Sequence, residues 1–344
     1  MSQSAPATLP GTGTEFFGHP RGLATLFMTE MWERFTYYGM RAILLLFLVA
    51  AVDKGGLGID DKTGSAIYGL YIAGTYLLSL IGGYIADRIT GAQRAVWWGG
   101  IFIMCGNALL AVGETKLFFM GLLLIVMGVG LLKPNISAVV AQLYPEGGSR
   151  RDAGFSIFYM GINLGAAIGS FIVPEVADKF GWRFGFALPA VGMALGLAQF
   201  ALTRRYLGTA GLEPAGAATQ GRASWTPIVI GVAVLLLIVA LAFTGTITLD
   251  AVAINSKASY AIAAFAIGYF LYLYFFAGLD SDERKRVIVM FVLFVACAMF
   301  WAGFEQAGAS LNLFADRHTD RDIFGWNMSA GTLQTVNPAF IIIF

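Results

Sequence analysis

The sequence predicts an all-α protein that crosses a membrane many times. Of its 344 residues, 58% are hydrophobic and 12% charged, against about 25% charged in a soluble domain. Mean hydropathy is +0.72. Apolar windows of about twenty residues, enough to span a bilayer as a helix, recur almost without pause. Spanning segments must satisfy their own backbone hydrogen bonds, which leaves helices as the building unit. The third observation is a run of charge inside the first of these windows.

Taken in order, residues 1–22 form a polar cytoplasmic segment with Pro10, Gly11 and Gly13 and no apolar stretch of signal-peptide type. The first spanning helix is therefore expected to serve as the targeting signal. The first window, 23–51, contains Glu30-Met31-Trp32-Glu33-Arg34-Phe35-Thr36-Tyr37-Tyr38-Gly39-Met40-Arg41. At about 100° per residue, Glu30, Arg34, Tyr37 and Arg41 fall within about 60° of one another, with Glu33 and Tyr38 on the margins. Met28, Phe35 and Leu46 lie opposite. An unpaired Asp, Lys or Arg at a helix centre costs about 3 kcal/mol on insertion scales, so this stripe must face a wet or protein-lined interior.

Windows 64–86, 94–113, 117–141, 153–177 and 184–203 complete a first group of six, 23–203. Residues 204–225, rich in Gly and Ala, read as a flexible cytoplasmic linker. Windows 226–246 and 258–278 form a further hairpin, 226–278. Windows 286–312 and 329–344 open a second group, 286–344. The last follows Asn337-Pro338 with only six apolar residues and no polar flank, so the sequence reads as a piece of a longer chain.

With the N terminus inside, inner loops hold eleven Lys and Arg, Arg88 and Arg222 among them, and outer loops eight. That modest bias places the N terminus in the cytoplasm, and the expected location is the cell (inner) membrane. Arg34, Arg41 and Lys133 lie within spans, as do the acids Glu30, Glu33 and Glu305. Three acids against three bases suit mutual pairing; left unpaired they would cost about 18 kcal/mol.

Composition also excludes. A net charge of +1 gives no electrostatic case for nucleic acid. Cys105 and Cys297 sit in apolar runs and read as small core residues. His19 and His318, the two histidines, lie outside the spans, and there is neither an H-E-x-x-H nor a pair of in-span aspartates. An intramembrane enzyme would need a nucleophile with a base, or metal ligands, so neither an enzyme nor a metal or cofactor is expected. No G-x-x-x-x-G-K-[ST] occurs, so ATP drive would need another subunit.

Five motifs remain. Gly82-Gly83-Tyr84-Ile85-Ala86-Asp87-Arg88-Ile89-Thr90-Gly91 resembles the G-x-x-x-D-R-x-x-G loop of the major facilitator superfamily. Gly83 is read as permitting close helix packing, and Asp87 and Arg88 as gating residues that lock the inner helix ends. The plain alternative is a charged helix end with a glycine stop. E-x-x-E-R-F-x-Y-Y-G at 30–39, F-Y-x-x-I-N-x-G at 158–165, F-W-x-x-x-E-Q at 300–306 and Gln334-Thr335-Val336-Asn337-Pro338 resemble, in order, signatures of the proton-coupled oligopeptide transporter family. The resemblance implies a major facilitator fold: a six-helix N-terminal bundle, two extra helices as in bacterial members, and the start of a C-terminal bundle. Val287 would begin the seventh core helix and Ser329 the eighth, within which the chain stops.

It further implies a symporter that imports di- and tripeptides with protons by alternating access; function as a monomer is a separate expectation. Glu30, Glu33, Arg34, Lys133 and Glu305 would serve proton coupling, since a carboxylate's proton affinity follows desolvation and nearby cations. A permanently ionised, structural Glu–Arg network is the bland alternative. Lys133 needs Glu30 or Glu33 as partner unless it snorkels. Arg41 and Glu305 would pair across the bundles and close the outer side of the cavity. A peptide carboxylate suits Arg34, Arg41 and Lys133, and its amine suits Asn163, Asn337 and Glu305. Tyr37, Tyr38, Trp301 and, by resemblance, Tyr76 offer walls with polar handles, or serve only as packing. A relative carrying nitrate, an amino acid or another anion is the second reading. A receptor or channel would leave the ordered motifs unexplained.

Overall fold

The computed structural model describes residues 15–214 and 224–344. Expectations for Pro10, Gly11 and Gly13, and for the middle of the linker with Arg222, lie outside the described residues. The helices are α1 (Arg21–Val49), α2 (Asp61–Ile85), α3 (Ala92–Val112), α4 (Thr115–Gln142), α5 (Gly148–Phe180), α6 (Trp182–Thr203), α7 (Thr226–Phe243), α8 (Ala251–Phe276), α9 (Ser281–Phe304), α10 (Ser310–His318) and α11 (Val336–Ile343). A two-residue antiparallel pair, Asp322–Ile323 with Trp326–Asn327, lies between α10 and α11.

Eight described helical segments are long and apolar enough to cross a membrane. α1 is not among them because Glu30, Glu33, Arg34 and Arg41 interrupt it, yet it is the most enclosed helix. Both its charged stripe and Phe35 and Leu46 on the far side are buried, while Met28 is partly open. α1 runs between α5 and α6, so protein surrounds it on more than one face.

Several helices outrun their apolar windows because polar caps, invisible to hydropathy, extend them. Asp60 accepts from the Thr63 amide at 3.0 Å and starts α2. Hydrogen bonds from Thr63 hold its carboxyl below the usual carboxylate range. Glu114 caps α4, and Asp250 starts α8 at Ala251, ahead of the predicted 258. A reciprocal capping box between Asp280 and Glu283 starts α9 at Ser281, six residues before the predicted Val287. α5, flanked by Gly147 and Gly181 without a side-chain cap, spans Gly148–Phe180 and also exceeds its window at both ends.

The window 286–312 is not one helix. After Phe304 the chain tightens into a 3₁₀ turn, Glu305–Gly308, and Ala309 (φ −115°, ψ −109°) separates it from α10. The window 329–344 likewise opens with a 3₁₀ segment, Ala330–Thr335, before α11.

Glycines set the helix spacing. Cβ atoms at Gly161, Gly165 and Gly169 of α5 would collide with Phe27, Met31 and Phe35 of α1, the close approach that a small-residue stripe permits. On α2 the packing residue is Gly82, not Gly83. A Cβ at Gly82 would overlap the Gly130 carbonyl of α4, whereas one at Gly83 would meet nothing within 4 Å. Pro134 lies inside α4 and has no N–H to give that carbonyl. At the same level Asn135 ties the two helices together, donating to Gly82 O at 3.1 Å and to Leu131 O of its own helix at 2.6 Å.

α7 and α8 contain no buried residue. α8 meets α2 where Asn255 faces Gly69, and its Phe270 ring lies 5.2 and 5.4 Å from Phe291 and Phe294 of α9. Cys105 and Cys297 are exposed. This differs from their reading as small core residues, because an apolar run marks a spanning helix without saying which of its faces is packed.

Candidate functional site

The helical period of α1 brings its charges together. Arg34 Nε lies 3.0 Å from Glu30 Oε1 and also donates to Glu33 Oε2. The three residues are at most 4% exposed. One nitrogen thus lies within ion-pair distance of two carboxylates and hydrogen-bonds one of them, while Glu30 Oε2, Glu33 Oε1 and Arg34 Nη2 are buried without a hydrogen-bond partner. Buried polar atoms are normally satisfied; three orphans on adjacent residues mark a place built for a proton, water or ligand.

Lys133 is half-buried on α4. It feels the charges of Glu30, Glu33, Arg34 and Glu305 but forms no ion pair among the described residues. Its Nζ lies 4.4 Å from the centre of the Tyr76 ring. The expected direct pair with Glu30 or Glu33 is absent; the cation beside both acids is Arg34 of their own helix, and Lys133 sits over the Tyr76 ring instead.

Two turns toward the C-terminal end of α1, Arg41 Nη1 meets Glu305 Oε2 at 2.9 Å. Glu305 opens the 3₁₀ turn after α9, so this pair joins the first six helices to the later ones. The turn fits only because Gly308 has no side chain: a Cβ there would overlap the Tyr68 hydroxyl and lie 2.9 Å from Arg41 Nε. Arg41 Nε and the Tyr68 and Tyr71 hydroxyls are buried without partners. The Arg34 and Arg41 guanidinium groups lie 5.1 and 5.4 Å from the Tyr37 and Tyr38 ring centres.

Beside the Arg41–Glu305 pair is a cavity of about 590 Å³, lined by Tyr38, Arg41, Asn163 and Asn337 together with Asn312 and Gln334. That volume lies within the common range for small-molecule sites. Asn163 donates to Tyr159 O at 3.0 Å. Tyr76 and Trp301, 46% and 45% exposed, do not line it. Asp87 and Arg88 sit in the Ala86–Thr90 turn at the other end of α2.

The sequence reading missed Tyr68, Tyr71, Asn312 and Glu175. Counting three in-span acids was wrong: Glu175, inside the window 153–177, is also buried, beside Pro174 near the end of α5. The Tyr68–Tyr71 spacing, three residues on one helix face, could have flagged the phenols. Asn312 donates to the Ala42 carbonyl of α1 at 2.9 Å, a backbone contact that leaves no sequence signal. Arg317 grips Asp61 with two bonds of 2.6 and 2.8 Å. All these contacts between α1, α2 or α5 and the chain after Glu305 gather at the end of the bundle away from the N terminus.

The fold and site define a polytopic helical transporter of major facilitator type. Residues 93–344 match the profile of PTR2, the POT family, and the chain belongs to that family. It is 41% identical over 345 residues to the uncharacterized transporter YclF of Bacillus subtilis (strain 168), covering 100% of this chain and 69% of that protein. It is 42% identical over 346 residues to the peptide transporter YePEPT of Yersinia enterocolitica, covering 97% and 67%. A crystal structure of a peptide transporter POT in complex with sulfate superposes with a TM-score of 0.87 at 42% identity, covering 98% of this chain and 69% of that one. A POT family transporter in complex with a thioalcohol-conjugated peptide gives a TM-score of 0.83 at 38% identity, covering 96% and 69%.

Proposed function

We propose that this chain imports di- and tripeptides with protons by alternating access. The reading is carried by one observation: the cavity beside the Arg41–Glu305 pair combines a cation with several amides, the groups that a zwitterion's two termini require. Arg41, with Arg34 and Lys133 nearby, takes the peptide carboxylate. Asn163 and Asn337 take the amine from the cavity lining with Glu305 beside it, Tyr38 forms a wall, and Tyr37, Tyr76 and Trp301, which lie outside the lining, reach a peptide only in another state of the cycle. The similarity to YePEPT and to the peptide-bound transporter supports this cargo.

Glu30, Glu33 and Arg34 form the proton-coupling cluster, with Lys133 held on Tyr76 as a cation able to replace Arg34 when a carboxylate is released. Protonation of Glu305, or capture of Arg41 by a peptide carboxylate, weakens the Arg41–Glu305 pair, so both ligands bias one two-state element. Asp87 and Arg88 act at the opposite gate. The N-terminal bundle, 23–203, moves against the bundle that begins at 286, with 204–225 as linker and 226–278 as an appended hairpin. The protein lies in the inner membrane with its N terminus in the cytoplasm, works as a monomer, and draws about 2.3 kcal/mol per charge for each 100 mV.

The test is uptake of radiolabelled dialanine by the full-length protein in liposomes under an inward-acid gradient, with gradient-free counterflow beside it. Glu33→Gln is expected to lose gradient-driven uptake and keep counterflow. A folded wild type that moves dialanine in neither assay would overturn the peptide reading. Solved neighbours in complex with sulfate and with 5-aminolevulinic acid favour a small anion or an amino acid as the second reading, so both compounds are included as competitors.

A further inference from the structure

Glu175 performs a task that none of the motifs contains. It lies in the last two turns of α5 and is 8% exposed. Its Oε1 accepts the Ser329 backbone N–H at 2.8 Å and the Thr332 hydroxyl at 3.0 Å. Ser329 is the cap position of the Ala330–Thr335 turn, and its own side chain makes no capping bond. The first N–H groups of a helical segment lack partners within it, and the cap residue's own N–H is ordinarily met by a Glu or Gln three residues on, a position held here by Thr332. Here the acceptor comes from the other bundle. Lys179 Nζ, on the same helix, lies 3.5 Å from the remaining oxygen, Oε2.

Packing around this contact is equally tight. At Gly331 a Cβ would lie 2.9 Å from both the Ala42 carbonyl and the Pro174 ring. The capped segment then runs on to Gln334 and Asn337 in the cavity lining, while Asn163 lines the same cavity from α5 itself. Glu175 therefore fixes one cavity wall to the helix that supplies another.

We propose that Glu175 is a positioning residue of the transport cycle, a second latch besides Arg41–Glu305. It docks the first turn of the eighth core helix onto α5 when the outer end is closed and releases it when that end opens. An interaction made in only one of two states shifts their balance by its differential free energy. In the open state Glu175 and the Ser329 N–H both pass to water. The inference rests on the alternating-access reading and is independent of the cargo.

The experiment places spin labels at Phe180→Cys and Asp320→Cys, both exposed at that end, in a full-length background freed of every other cysteine, Cys105 and Cys297 included. Distances are read by double electron–electron resonance in nanodiscs. Glu175→Ala is expected to raise the ratio of open to closed populations about tenfold, the equivalent of about 1.4 kcal/mol. Glu175→Gln keeps an acceptor oxygen and is expected to stay near wild type, a rescue that a general loss of stability would not give. Thr332→Val, which removes one hydroxyl donor and leaves the backbone bond, is expected to shift the ratio in the same direction by less. It decides the matter if Glu175→Ala does not fold. An unchanged distribution in Glu175→Ala, or in Thr332→Val where the alanine variant is lost, would overturn the latch alone. A wild type whose distances never exchange at either end would overturn alternating access, and the latch with it.

Discussion

Arg34 gives one nitrogen to two carboxylates, and the consequences of removing it differ from those of removing either acid. Arg34→Ala strands Glu30 and Glu33, both at most 3% exposed, in a buried site. Breaking a buried ion pair from one side typically costs about 3–5 kcal/mol. We expect that loss in thermal unfolding of the detergent-solubilised protein. Glu33→Gln should lose much less, because Arg34 keeps Glu30 at 3.0 Å. A milder effect for Arg34→Ala than for Glu33→Gln would refute the shared-donor geometry. The Glu30–Arg34 pairing was legible in the sequence because residues four apart share a helix face, whereas the Glu33–Arg34 bond joins neighbours that a helical period sets apart. The Arg41–Glu305 contact, with its partners 264 positions apart, could be reached by matching in-span charges. Lys133 could not, since its position on Tyr76 depends on how α4 and α2 cross. Glu175 escaped because its main partner is a backbone N–H, which every residue but proline carries.

At the scale of helices, the sequence located each apolar core but misjudged the ends, since caps such as Asp280 with Glu283 act outside the apolar windows. It also chose the wrong glycine of an adjacent pair, because assigning a face demands a rotation accurate to a single residue. The distinction is measurable. Gly82→Ala drives a methyl into the Gly130 carbonyl, and overpacking of that kind costs about 1–3 kcal/mol. Gly83→Ala meets nothing within 4 Å and should be neutral, or up to about 1 kcal/mol more stable through helix propensity. Equal melting temperatures for the two variants would contradict this packing.

Across the whole molecule, the α7–α8 hairpin stands apart, with no buried residue in either helix. Its contact with α9 depends on Phe270, and aromatic pairs contribute about 0.5–1.5 kcal/mol beyond area burial. Phe270→Ala is therefore expected to leave the cooperative unfolding temperature nearly unchanged while hydrogen exchange along α8 quickens. A large fall in that temperature would mean that the hairpin belongs to the folding core. Its presence was legible from two apolar windows; which of its faces meet α2 and α9 was not, because hydropathy gives the same signal on every side of an apolar helix.

The interruption at Glu305–Gly308 divides the seventh core segment mechanically. A continuous helix behaves as a rod and carries any tilt of one end to the other. Here the regular ladder is already interrupted by the 3₁₀ turn and by the backbone of Ala309, so bending there strains fewer i→i−4 bonds than bending an intact helix. α10, held to Asp61 of α2 through Arg317, and α9 can therefore tilt by different amounts. The fulcrum coincides with Glu305, the residue that holds Arg41.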